Sequence, residues 1–310
     1  MINNTSYIKS LILVVFTTLL ITQVNAQQDP QYTQYMYNTM SVNPAYAGQR
    51  EVFSAIALYR TQWVGIDGAP KTLTFGAHTP LGNNKVGIGL NVVSDKLGPA
   101  TETYFDLNFS YTIPIDADGI YNLSFGIKGG FHLLDTDWSK GVFQNTDNAF
   151  NQNLDLFSPT IGAGLYLHSR KWYLGAAVPN ILTTEHYDDF QESIATERQH
   201  LFLIGGYVFD INKRTKLKPA FYVKAVSGAP LIADVSLNAL FNEKFTLGVA
   251  WRWDDSISGL AGFQVTDSIF IGYAYDWTTT NLNNYNSGSH EILLRFELQK
   301  VGKMLSPRFF

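Results

Sequence analysis

Apolar and polar residues alternate one by one in short blocks along most of this chain. Between residues 101 and 113, one set of alternate positions includes Phe105, Leu107 and Phe109, while the intervening set includes Asp106 and Asn108. A period of two is typical of β-strands with one apolar and one polar face, and it does not fit an amphipathic helix. The chain is therefore expected to fold as an all-β protein.

The alternating blocks are each about ten residues long and are separated by turn-forming residues. The predicted strands are 51–62, 69–79, 85–94, 101–113, 120–132, 158–168, 171–179, 197–210, 215–226, 231–241, 244–253, 256–264, 267–277 and 289–299. An even number of strands of this length is typical of bacterial outer-membrane barrels. We predict a transmembrane outer-membrane β-barrel of about 14 antiparallel strands over residues 51–310, which includes a C-terminal tail at 300–310.

Alternation alone also fits a soluble β-sandwich or propeller, because exchanging a protein core for lipid leaves the period unchanged. Aromatic residues, however, cluster near block ends, as an interfacial girdle requires: Tyr59, Trp63, Trp172, Tyr173, Trp251, Trp253, Tyr273, Tyr275 and Trp277. Charged residues fall on the opposite face: Lys128, Lys216, Lys218, Lys224, Asp234, Arg252, Glu291, Arg295 and Glu297. Both patterns favour a barrel with lipid outside and a polar lumen.

Residues 1–26 have the pattern of a secretory signal peptide. Lys9 precedes an apolar run at 11–21, and small residues end at Ala26. The run is too short for a transmembrane anchor, which needs about 20 residues. The sequence contains no cysteine, so it offers no disulfide, thiol nucleophile, cysteine-ligated metal or lipoprotein acceptor. We expect export to the outer membrane.

Charge and motif analysis points away from nucleic acid and from catalysis. The 22 basic and 26 acidic residues give a net charge of -4, which provides no basic surface for nucleic acid. The six histidines lack metal-ligand spacing. The pair Asp254 and Asp255 would suit a membrane protease only beside converging catalytic partners, which no motif supplies. We expect no catalytic, cofactor or metal site.

The segment 27–50 breaks the alternation. Asp29 suits a helix N-cap, Pro30 suits the first helical position, and Tyr32, Tyr35, Met36 and Thr39 have helical spacing. We predict a short helix that ends near Asn43 and Pro44. Such a segment is either a plug or rim element of a wide barrel or an element that docks a partner.

Several motifs resemble those of the PorP/SprF family of type IX secretion system membrane proteins. The stretches DPQYTQYMYN at 29–38 and NPAYAG at 43–48 are similar to its N-terminal signature, and further matches lie on the first strand, the last strand and the tail. The matching residues are Tyr32, Gln34, Tyr35, Met36, Asn38, Asn43, Pro44, Tyr46, Gly48, Arg60, Gln62, Trp63, His290, Glu291, Pro307, Arg308 and Phe310. The resemblance covers the mature chain.

The resemblance implies a non-enzymatic outer-membrane accessory of the type IX secretion system. Proteins of this family are associated with gliding and with the secretion or surface anchoring of adhesin-type cargo through a cargo C-terminal domain. The expected partners are therefore that cargo domain, the secretion machinery with its periplasmic components, and membrane lipid. The barrel alone equally permits a general diffusion porin, which is the alternative.

Arg60 falls on the polar face of the first predicted strand. Because closure makes the first and last strands neighbours, we predict an ion pair between Arg60 and either Glu291 or Glu297. The alternative is a direct contact between Arg60 and a partner.

Overall fold

The chain forms a closed antiparallel β-barrel in a computed structural model, which describes residues 30–82, 84–138, 153–182, 199–226 and 229–298. The predicted signal peptide at 1–26, the proposed N-cap Asp29, and the tail residues Pro307, Arg308 and Phe310 lie outside the described residues. The predicted all-β outer-membrane fold is confirmed.

The strands follow the predicted blocks closely. They are β1 Ser54–Thr61, β2 Lys71–Leu81, β3 Val86–Leu97, β4 Ala100–Pro114, β5 Asn122–Thr136, β6 Leu154–His168, β7 Trp172–Val178, β8 His200–Tyr207, β9 Phe209–Asn212, β10 Thr215–Val226, β11 Ile232–Phe241, β12 Phe245–Arg252, β13 Ser256–Thr266, β14 Ile269–Thr278 and β15 Ser289–Glu297. Both β8 and β9 pair with β10, so together they form one span interrupted at Val208. The described strands therefore make a barrel of fourteen spans.

The barrel closes where the first strand meets the last. Strands β1 and β15 pair antiparallel from Ser54 opposite Glu297 to Thr61 opposite His290. Strand β1 also pairs with β2, so both of its edges are hydrogen-bonded. Closure matters because hydrocarbon cannot hydrogen-bond the free edge of a sheet.

Side chains alternate between the outside and the lumen, as the sequence predicted. On β4, Leu107 and Phe109 are exposed on the outside, whereas Asp106 and Asn108 are buried inside. The expected aromatic girdle is largely present, but Tyr173 does not belong to it. Its ring is buried inside the barrel against Tyr166, because its position on β7 has inward parity.

The two rims differ in the length of their connections. One rim carries the connections 62–70, 98–99, 137–153, 179–199, 227–231, 253–255 and 279–288, and we call it the long-loop rim. The other carries 82–85, 115–121, 169–171, 213–214, 242–244 and 267–268, and we call it the short-turn rim. Outer-membrane barrels place long loops outside the cell, so the long-loop rim faces the exterior.

Residues 30–53, here called the N-terminal segment, precede the barrel wall. The predicted short helix is present, but it begins at Thr39 rather than at Pro30, because residues 33–37 form turns. Within residues 30–53, the α-helix α1 spans Thr39–Val42 and ends as expected at Asn43, and a 3-10 helix follows at Pro44–Tyr46. Among the described residues, no helix is both long and apolar enough to cross a membrane.

Replacing Leu107 by Arg tests the lipid-facing assignment. Leu107 lies midway along β4 and is 59% exposed on the apolar outer face. A charge at this depth should lower the free energy of unfolding in lipid vesicles by about 2–4 kcal/mol. Urea titration followed by tryptophan fluorescence measures the change. The control is Tyr285→Arg at the long-loop rim, and equal effects of the two substitutions would contradict the assignment.

Candidate functional site

The N-terminal segment lies inside the barrel, and most of its residues are buried. Residues 32–40 and 42–50 are buried, although α1 and the 3-10 helix are only one turn each. So short a helix is not stable alone, so its conformation depends on contacts with the surrounding strands. The interface between this segment and the lumenal wall is the candidate functional site.

A buried ion cluster joins the first and last strands at their long-loop ends. The Arg60 guanidinium lies 3.1 Å from Oε2 of Glu291 and 2.7 Å from Oδ2 of Asp276 on β14. Arg60 is 2% exposed and Glu291 is fully buried. We call these three residues the seam cluster. The predicted contact between Arg60 and Glu291 is present, whereas Asp276 was not anticipated.

The seam cluster also holds the N-terminal segment. The backbone N–H groups of Thr33 and Gln34 donate to Oε2 and Oε1 of Glu291 at 3.0 and 2.9 Å. The Thr33 hydroxyl lies 2.8 Å from both carboxylate oxygens of Asp276. Both oxygens of Glu291 therefore accept hydrogen bonds from the segment, which compensates for burying this carboxylate.

A second cation lies beside the seam cluster. Arg252, at the end of β12, is 3.2 Å from the Asp234 carboxylate and 3.1 Å from that of Asp255. It also donates to the Tyr32 carbonyl at 3.5 Å. Asp255 thus belongs to an ion pair at the end of the lumen.

Another ion cluster holds the segment near the short-turn rim. Nε and Nη2 of Arg50 approach the two carboxylate oxygens of Glu297 at 2.5 and 2.8 Å, which is a bidentate pair. Nε of Arg295 lies 3.6 Å from the same carboxylate. Glu297 was a candidate partner for Arg60, but it pairs with Arg50, because it lies at the opposite end of the β1–β15 seam from Arg60.

The 3-10 helix packs where the wall has inward-facing glycines. A Cβ atom at Gly126 on β5 would overlap the backbone of Pro44 and Ala45, and one at Gly164 on β6 would overlap the Asn43 side chain. Asn43 caps this helix by accepting from the Ala45 N–H at 2.9 Å, and it donates to the Leu165 carbonyl at 2.9 Å. These inward-facing strand glycines therefore make room for the segment.

Aromatic side chains complete the packing between segment and wall. The Tyr35 ring stacks on Tyr222 at a centroid distance of 5.2 Å, and its hydroxyl lies 3.2 Å from Oγ of Ser236. The Tyr46 ring packs edge-on against Tyr166 at 5.5 Å. Both tyrosines bury large apolar areas, and the Tyr35 hydroxyl is hydrogen-bonded.

The remaining predicted residues divide between the lumen and the long-loop rim. Those buried within the barrel are Tyr32, Gln34, Tyr35, Met36, Asn38, Asn43, Pro44, Tyr46, Gly48, Arg60 and Glu291. At the rim, the Trp63 N–H donates to Oγ of Ser289 at 3.1 Å and the Gln62 N–H donates to the Pro70 carbonyl at 3.0 Å. His290 has the parity of the outer face of β15 and contacts Tyr273 rather than the lumen.

A cavity of about 60 Å³ lies between the N-terminal segment and the long-loop rim. Its lining combines aromatic and polar side chains: Tyr32, Tyr35, Asn91, Tyr104, Asp106, Lys128, Thr160, Asn180, Phe202 and Tyr222. Within it, the Lys128 ammonium pairs with Asp106 at 2.8 Å. We call this cavity the outer vestibule.

Sequence reasoning missed several residues of the site. Thr33, Arg50, Asp276 and the glycines Gly126 and Gly164 hold or accommodate the segment but were not singled out. Asp276 lies between Tyr275 and Trp277, which point outward, so the alternation along β14 indicated that its carboxylate points inward. No local signal indicated which groups it would meet, because its contacts are far away in sequence.

Replacing Gly126 by Val tests the contact between segment and wall. The added side chain would overlap the backbone of Pro44 and Ala45, so we expect a loss of about 1–3 kcal/mol in unfolding free energy. Heat-modifiability on gels measures the unfolding temperature. Gly129→Val on the same strand is a matched control, since nothing lies within 4 Å of a Cβ there. An unchanged temperature for the Gly126 variant would refute the packing.

Replacing Arg60 by Met tests the seam cluster. The substitution leaves two buried carboxylates without their cation and should cost about 3–5 kcal/mol. The control is Lys171→Met at the short-turn rim. Lys171 forms an exposed ion pair with Asp210, and the hydrogen bond between them raises the pKa of Lys171. In urea titrations, the Arg60 variant should lose more unfolding free energy than the Lys171 variant. Equal stability of the Arg60 variant and the wild type would show that the cluster does not stabilise the barrel.

Comparison with known proteins agrees with the architecture. Among solved structures, the CymD monoaromatic hydrocarbon channel aligns with a TM-score of 0.53 at 12% identity, covering 90% of this chain and 96% of that chain. The Ralstonia pickettii toluene transporter TbuX aligns with a TM-score of 0.49 at 10% identity, covering 90% and 96%. The Acinetobacter baumannii outer membrane protein Omp33 gives 0.46 at 7% identity, covering 80% and 98%. The CymD likeness concerns the fold alone.

No curated protein matches the chain. The model of the family described as "Type IX secretion system membrane protein PorP/SprF", however, matches residues 24–296. This match spans the N-terminal segment and the seam cluster, and it covers every described strand except the last residue of β15. The chain is therefore an outer-membrane β-barrel that belongs to the PorP/SprF family of type IX secretion system membrane proteins.

Proposed function

We propose that this protein is a non-enzymatic accessory of the type IX secretion machinery that supports the secretion or surface anchoring of adhesin-type cargo. The observation that carries the proposal is the burial of the N-terminal segment across the lumen. Membership of the PorP/SprF family is the reason for assigning the protein to the type IX secretion system. The cargo would be recognised through its C-terminal domain, and gliding adhesins are the class that the family resemblance suggests.

The occupied lumen argues against a diffusion porin, which needs a continuous aqueous channel. The segment contacts different parts of the wall, since Thr33 binds Glu291 on β15 and Asn43 binds Leu165 on β6. Its polar groups are engaged with the wall rather than with passing solute. A barrel filled in this way is suited to holding a protein partner at its rim.

The outer vestibule supports the long-loop rim as the place where cargo docks. It combines aromatic rings with polar groups, a composition common in protein-recognition surfaces, and it extends toward Pro179 and Asn180 at the rim. The charged groups Asp106 and Lys128 pair with each other, which favours a binding role over acid–base chemistry. Periplasmic components of the machinery would meet the short-turn rim.

Single-channel recording distinguishes an accessory barrel from a porin. Purified protein in a planar bilayer should show little steady current, because the segment blocks the lumen. The Gly126→Val variant, in which the segment is displaced, should conduct more than the Gly129→Val control. A steady, ohmic current from the wild-type protein would favour the porin.

Photo-crosslinking in cells tests the docking of cargo. A photoreactive residue in place of Tyr285, which is 74% exposed at the long-loop rim, should capture a secreted protein through its C-terminal domain. The same residue in place of Lys244 at the short-turn rim should not capture that cargo domain. Failure to recover any type IX cargo from position 285, in cells that are secreting normally, would contradict the proposal.

A further inference from the structure

Four side chains with hydrogen-bond donors form a row on the outside of the barrel. In the sheet register, His290 lies opposite Thr61, Thr61 lies opposite Lys71, and Lys71 lies opposite Lys96. Each residue lies at the long-loop end of its strand and has outward parity. We call these residues the exterior donor row.

The two lysines of the row are direct cross-strand neighbours. Both are exposed, and within the described part of the chain neither forms an ion pair. Like charges directly opposite each other destabilise a sheet, so this arrangement costs free energy in the isolated protein. A bound anion would convert the repulsion into attraction, because each ammonium could then donate to it.

His290 extends the row toward an aromatic surface. Its neighbour Glu291 points into the lumen, but His290 faces outward, and its Nδ1 lies 2.7 Å from the Tyr273 hydroxyl. Its ring also lies 5.2 Å from that of Tyr275. Tyrosines at this level are typical of the boundary between hydrocarbon and headgroups.

Three of the four positions directly below the row are apolar. One step further along each strand toward the short-turn rim, the outward residues are Ile292, Tyr59, Leu73 and Ser94. Three of these four side chains are exposed large apolar groups that suit contact with acyl chains. The donor row therefore lies where the acyl region of the outer leaflet gives way to its headgroups.

We propose that the exterior donor row binds the phosphate of a phosphorylated glycolipid in the outer leaflet. The two ammonium groups supply charge, Thr61 and His290 supply further donors, and the apolar residues below receive the acyl chains. Lysine is a common phosphate ligand. Beyond Lys96, the same outward row continues through Thr101 to Asp135 and Asp155 on the next strands. These two acidic residues mark the end of the donor row on that side. The glycolipid would therefore lie over β15, β1, β2 and β3.

Lipid binding by purified protein in detergent tests the proposal. The probe is diphosphorylated lipid A, and binding is measured by microscale thermophoresis. The double variant Lys71→Ala/Lys96→Ala should bind about tenfold more weakly than the wild type, as expected for losing one or two charged hydrogen bonds. Lipid A without its phosphates should bind the wild type as weakly as the double variant binds the intact lipid.

The matched control is Lys85→Ala/Lys244→Ala, which removes two exposed lysines at the short-turn rim. It should bind diphosphorylated lipid A like the wild type. Heat-modifiability verifies that each variant is folded. Equal affinity of the Lys71/Lys96 variant and the wild type would overturn the proposal. Free inorganic phosphate that competes at the same concentration as the lipid would overturn the glycolipid assignment.

Discussion

The Glu291 carboxylate links the three parts of this molecule. It lies on the last strand, pairs with Arg60 on the first strand, and accepts backbone N–H groups from Thr33 and Gln34 of the N-terminal segment. A buried carboxylate is tolerated only when its charge and lone pairs are satisfied. The ion pair across the seam and the anchoring of the segment inside the barrel therefore share one side chain.

The wall could be predicted from the sequence because its side chains meet two simple environments. Leu107 points outward and Asp106 points inward, and one period of two decides both positions. The N-terminal segment is harder to predict, because a helical pattern is informative only when one face is apolar and the other meets water. Tyr32, Tyr35 and Gln34 are all buried. The spacing that predicted a helix from Pro30 therefore did not correspond to an apolar face opposite a solvent-exposed one.

Contacts inside the lumen were predictable only in part. Strand order brings Arg60 and Glu291 together, so that ion pair followed from barrel closure. The contacts of Thr33 with Asp276 and of Arg50 with Glu297 depend on the path of the segment, and no local pattern specifies that path. Likewise, the alternation of β15 separates consecutive residues: Ser289 accepts from the Trp63 N–H, His290 faces the membrane, and Glu291 faces the lumen.

The β1–β15 seam has a consequence for biogenesis. The N-terminal segment is translated before every strand that surrounds it. In the folded protein it is nevertheless enclosed by strands that include β15, the last one to be translated. Threading a charged side chain such as Arg50 through a finished, crowded cylinder would require breaking the bidentate pair and its neighbours. The simplest order of folding is for the open sheet to close around the N-terminal segment, with the pairing of β1 and β15 as the final step.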